Sequence, residues 1–177
     1  MEYMDLFPAL PSHRLAKFIA DTAEALWKFV DLPNNPHHER RGGYLTVLSL
    51  DRGLPLLVVP IGMIEIEKAS RYIRFSQEKA VRLFAHQPEH DSSWQSRDEG
   101  AEQYGGAIVA PTVDFTDGSV LGFILSFSGL PEHGDEALML YAGIKSANLS
   151  RDRALKMAHE SGNPFFEPLM ETLGVCV

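Results

Sequence analysis

A chain of 177 residues with 45% hydrophobic and 23% charged side chains has the composition of one globular domain, too apolar for disorder and too short for two full cores. Its 24 acidic and 16 basic residues leave a formal net charge of −8, which repels phosphate backbones and sets nucleic acid aside as a partner. No apolar run reaches the ~18–20 residues of a membrane span, the opening is acidic and broken by Pro8, and the single cysteine, Cys176, has no internal partner, so a cytoplasmic protein is expected.

Ser12 to Val30 predicts an amphipathic helix, with Ser12 as N-cap and Leu15, Phe18, Ile19, Thr22, Leu26, Phe29 and Val30 on one face. Pro33, Asn34, Asn35, Pro36 and the Gly42-Gly43 pair then mark a loop from Leu32 to Gly43. Tyr44 to Leu50 and Pro55 to Ile61 predict two strands joined through Asp51-Arg52-Gly53, a β-hairpin. Pro55 and Pro60 cannot donate ladder hydrogen bonds and belong at strand ends or on an edge.

The second helix is expected over Glu65 to Ala85, with Ala69, Tyr72, Ile73, Ser76, Ala80, Leu83 and Phe84 inward and Arg71, Arg74, Glu78 and Arg82 elsewhere. Arg71, Arg74, Lys79 and Arg82 form the densest basic cluster, expected as a solvated or interface face. His86 to Gly105 carries no apolar period, and a loop of about 20 residues in a compact domain is either functional or disordered. Gly106 to Val113 and Ser119 to Phe127 predict a second hairpin through Asp117-Gly118. Pro131 suits a helix start, Glu132, Asp135 and Glu136 favour its positive end, and Ala137, Leu140, Tyr141 and Ile144 continue it as a buried stripe. Past Leu149 come a short helix, Arg151 to His159, and a last turn or two around Phe165, Phe166, Leu169, Met170 and Leu173. The order helix-hairpin-helix-hairpin-helix predicts an α/β (α+β) fold, an antiparallel sheet of four to five strands covered by helices.

The phosphate-binding glycine motifs and the nucleophile elbow are absent. His86 and His90 have the four-residue spacing of zinc ligands, but Pro88 between them stops a helix, and the adjacent His37 and His38 point apart in a loop. Neither pair predicts a metal site. Trp94 is expected to pin its loop to the body, with stacking on a planar ligand as the alternative. Bare N–H groups at the Pro131 helix start could bind an anion.

Three segments carry a family resemblance. They are Leu48-Ser49-Leu50-Asp51-Arg52-Gly53, then Glu78-Lys79-Ala80-Val81-Arg82-Leu83-Phe84, and then Gly105-Gly106-Ala107-Ile108-Val109 with Asp117-Gly118, Gly122, Ser128-Gly129 and Asp135. In order and spacing they resemble the GlcG/HbpS family of haem-binding and haem-degrading proteins, which includes the C-terminal domain of PduO. The sequence departs from that pattern at Arg82-Leu83, where relatives commonly carry Thr-Ala, and at Pro55 and Ile61-Gly62-Met63. The resemblance implies a profilin-like domain over residues 1–148, with 149–177 as a helical extension packed on it, and it implies self-association as a homo-oligomer. It also implies a haem or related small-molecule ligand, for which His86 and His133 are the candidate iron ligands and Arg74 and Arg82 the candidate partners of the propionates. The alternatives are a non-catalytic oligomeric or small-molecule-sensing module and an enzyme using His133 with Asp135 and Glu136.

Overall fold

The computed structural model describes residues 12–113 and 120–175. The Asp117-Gly118 turn and Cys176 lie outside them. Helix α1 (Ser12–Val30) leads into strands β1 (Gly42–Ser49) and β2 (Pro55–Gly62), then helix α2 (Ile66–Ala85). Strands β3 (Ala107–Val113) and β4 (Val120–Ser128) follow, then helices α3 (Glu132–Ser146), α4 (Arg151–Ser161) and α5 (Phe166–Thr172). The four strands form one antiparallel sheet in the order β2-β1-β4-β3. Each predicted hairpin is therefore present, and the two halves join through β1 against β4, with Thr46 opposite Ser126.

Alternation along the strands divides the interior. Leu45, Val47, Ile108, Ala110, Leu125 and Phe127 face α1 and α3, on which α4 and α5 pack in turn, and belong to the larger core. Leu48, Ala107, Val109 and Ile124 face the other way, against Ala80 and Leu83 of α2. The apolar stripe of α1 buries as its spacing predicts, with Phe18, Thr22, Leu26, Phe29 and Val30 out of solvent. Phe166, Leu169 and Met170 of α5 join the same core, and α5 packs on α3 and α1.

The sheet has two unlike margins. β2 lies at one edge and carries Pro55 and Pro60, which blunt it as a template for further pairing. The β3 edge is covered: Val109 N–H donates to Asp91 O at 2.8 Å and Ser92 bridges Ile108.

Two expectations are corrected here. The segment 86–105 contains two short 3-10 turns, Ser93–Ser96 and Glu99–Ala101, each capped by the side chain before it, Ser92 and Asp98. Its polar composition provides local caps instead of an apolar stripe. The basic cluster of α2 does not form one solvated face either. Arg71 and Arg74 are exposed, while Lys79 and Arg82 are only 2% and 8% exposed, because each meets acceptors from distant segments. No helix among the described residues is long and apolar enough to cross a membrane.

Candidate functional site

The turn from β4 into α3 forms the floor of a cleft. Leu130 N–H donates to Asp135 Oδ1 at 2.9 Å, so the fourth residue of α3 reaches back and fixes the turn Ser128-Gly129-Leu130-Pro131. The other carboxylate oxygen, Asp135 Oδ2, accepts from Lys79 Nζ at 2.7 Å, and Lys79 Nζ also donates to Phe127 O at 3.0 Å. Both partners of this ion pair are 2% exposed. Burial pushes the Asp135 carboxyl up to about 6, against the opposing pull of the Lys79 ammonium and the Leu130 N–H.

Gly106 completes this packing. Its φ is +117°, and a Cβ there would lie 2.7 Å from Asp135 Cβ and 2.9 Å from Lys79 Nζ. Only a residue without a side chain lets β3 start so close to the pair.

The cleft encloses about 440 Å³, within the range of small-molecule sites. One wall is aromatic: Tyr72 and Phe75 from α2 and Tyr104 from the end of the 86–105 segment, with Phe75 and Tyr104 edge to face at 5.3 Å. Around the opening stand His37, Arg40, Lys68 and Arg71. Lys68 pairs with Glu65 at 2.9 Å on the surface, and the Arg71 guanidinium lies 5.2 Å from the Phe75 ring centroid. Neither Arg40 nor Arg71 has a carboxylate partner within 4 Å among the described residues. His37 Nδ1 lies 3.4 Å from Glu39 Oε1 at the surface.

Glu132 closes the cleft's other side. It accepts from Arg97 Nε at 2.8 Å and Nη2 at 3.1 Å, and from Gly105 N–H at 3.0 Å. Burial pushes its carboxyl up, but Arg97 and the Gly105 N–H outweigh that and hold it below the usual range.

None of the residues expected from the sequence, Arg74, Arg82, His86 and His133, lines this cleft. Arg74 lies on the surface, paired with Glu102 at 3.2 Å and stacked over Phe75 at 4.6 Å. Arg82 and His86 line a separate, more open recess with Ser96, Arg97 and Asp98. The His86 ring bonds to Arg82 O at 2.8 Å and stacks on His90 at 4.7 Å. The His133 ring is sandwiched at 4.5 Å against Trp94, and its Nε2 lies 3.0 Å from Ser161 O. Trp94 thus pins its segment to α3, as its composition suggests. His133, Asp135 and Glu136 do not converge: the first faces Trp94 and Ser161, the second Lys79, the third Ser92, Ser161 and Asn163.

Sequence reasoning passed over His37, Arg40 and Arg71 as members of one site. Arg71 was visible in the basic cluster, but His37 and Arg40 come from a loop about 30 residues upstream, and no local spacing links them to α2.

No family model matches the chain, and no curated protein matches it significantly. Among solved structures, a PduOC:heme complex aligns with 77% of this chain and 94% of its own, at 14% identity and a TM-score of 0.49.

Proposed function

We propose that the protein binds a small planar organic acid in the cleft at the start of α3, and that a haem-type tetrapyrrole is the first ligand to test. The observation that carries this reading is the pairing of two arginines without carboxylate partners, Arg40 and Arg71, with an aromatic wall of Tyr72, Phe75 and Tyr104. Guanidinium groups without a carboxylate partner in the chain favour carboxylates on a ligand. Lys79 is excluded from that role because Asp135 already neutralises it.

The donor set is compatible with haem. Arg40 and Arg71 would hold the propionates, the aromatic wall would cover the ring, and His37 would offer Nε2 to the iron. Bound haem would supply redox or gas-binding chemistry; the chain's own residues bind it, orient it and shield one side from water. The recess lined by Arg82 and His86 is the competing location, since the sequence resemblance points there.

Titration with haemin, followed by absorbance, tests both. A Soret band is expected to develop with the wild-type protein, to shift in H37A and to weaken in R40Q and R71Q. It is expected to persist in H86A and H133A. A band lost in H86A but retained in H37A moves the ligand to the other recess, and absence of any band removes the haem reading.

A second reading, a self-associating module without a cofactor, draws on one observation. Met63 and Ile66, beside the β2 edge, are exposed, Ile66 to 91%. Sedimentation velocity that finds only monomer would remove it.

A further inference from the structure

Arg82 lies in the last turn of α2, buried, with its planar fork aimed at the segment 93–104. Its five donor hydrogens all have acceptors in reach. Nε donates to Glu78 Oε1 at 2.6 Å, which holds the guanidinium from the preceding helical turn. Nη1 donates to the carbonyls of Ser93 and Ser96, each at 2.9 Å, and to Ser96 Oγ. Nη2 donates to Tyr104 O at 2.6 Å and lies 3.4 Å from Glu78 Oε2. One side chain thus ties both ends of the segment to α2. Tyr104, whose carbonyl is held, supplies its ring to the cleft wall and packs edge to face on Phe75 of the same helix. Trp94 on His133 and Arg97 and Gly105 N–H on Glu132 attach the segment to α3, while the exposed Arg74–Glu102 pair adds a surface link to α2. Arg82 is the buried polar link that joins both ends of the segment to α2.

We infer that Arg82 is a positioning residue for the cleft: it fixes Tyr104 through the backbone of the 93–104 segment and does not pair with the ligand itself. The ligand part of this inference rests on the anion-cleft reading above. A guanidinium is needed because an ammonium is a point donor that cannot bridge carbonyls at both ends of the segment.

The experiment compares R82K and R82Q with Y104A and R82K/Y104A, using haemin as the probe and hydrogen exchange as the second readout. R82K is expected to weaken haemin binding about tenfold, the equivalent of one displaced wall contact. Its salt dependence should match wild type, whereas that of R71Q should flatten. In the Y104A background, R82K should cost nothing further. In exchange, R82K should lose protection at the amides of Arg97, Asp98 and Gln103, whose acceptors lie within the segment, while the amides of β1 keep theirs. Independent, multiplying effects of R82K and Y104A, or a flattened salt slope in R82K, would overturn the inference in favour of direct ligand pairing. If wild type takes up no haemin, the ligand reading falls, and exchange alone decides the positioning claim: unchanged protection of the 93–104 segment in both R82K and R82Q would overturn it.

Discussion

Two neighbouring carboxylates on α3 meet opposite fates. Asp135 faces the cleft and is held by a buried ammonium, Lys79, together with the Leu130 N–H. Glu136, the next residue, points to the other side of the helix and is held by neutral donors, the hydroxyls of Ser92 and Ser161 and the amide of Asn163. Burial pushes both carboxyls upward, Asp135 to about 6. The difference lies in what removal leaves behind. Taking away Lys79 strands a charge in the interior, whereas taking the charge from Glu136 leaves only hydroxyl and amide groups that can partly rearrange. The Asp135 side is therefore the rigid floor of the cleft, and the Glu136 side is a neutral clasp joining the 86–105 segment to the turn after α4.

The strongest way to break this contrast is Lys79→Met. It should destabilise the protein by about 3–5 kcal/mol at neutral pH, read from urea unfolding, because Asp135 loses its counter-charge. The penalty should shrink already as pH falls from 7 toward 6, because without the Lys79 ammonium the stranded carboxyl is pushed higher still and takes up a proton there. K79M/D135N, which keeps an acceptor for Leu130 N–H, should recover part of the loss. A penalty below about 1 kcal/mol at neutral pH would mean that the pair contributes no more than a surface one.

Next in size is Gly106→Ala. The positive φ and the close contacts with Asp135 and Lys79 predict a loss of about 2–3 kcal/mol. Thermal melts that match wild type would show that β3 can start farther from the pair than the structure places it.

Glu136→Gln sharpens the comparison from the other side. One hydrogen bond becomes mismatched while a buried charge disappears, so the net change at pH 7 should stay within about 1 kcal/mol. The sign of its pH dependence is fixed. A carboxyl whose folded pKa is raised contributes its stability below the unfolded pKa and loses it as pH rises through the folded one. Wild type should therefore fall relative to E136Q as pH rises above about 4.5, the ordinary value for Glu. Parallel curves for the two proteins across pH 4–8 would refute the upward push on Glu136.

The smallest effect is expected at Arg74→Gln. The Arg74–Glu102 pair is mostly exposed, so stability should move by less than about 0.5 kcal/mol.

The same contrast shows what could be read from the chain alone. The helix α1, both hairpins and the start of α3 followed from period-3.6 and period-2 spacing and from Asp, Gly and Pro at the turns, all short-range signals. The buried ion pair was not legible: Lys79 and Asp135 are 56 residues apart, and each has a satisfactory local explanation, one as a helix-surface cation and the other as a helix-start acid. The hydrogen bonds of Arg82 were equally out of reach of local spacing. In sequence it belongs to a basic cluster expected as a solvated or interface face, and in the fold its guanidinium meets carbonyls 11 to 22 residues downstream.

By itself the sequence determined which segments are helices and strands, because hydrophobic period and turn chemistry act within a few residues. It also set the net negative charge against which any anion site must be built. Only the tertiary structure decided that β1 pairs with β4, and that pairing brings the 37–40 loop, α2 and the start of α3 around one cleft. Which cations are buried and neutralised and which remain free to meet a ligand depends on acceptors that chain folding carries in from far away.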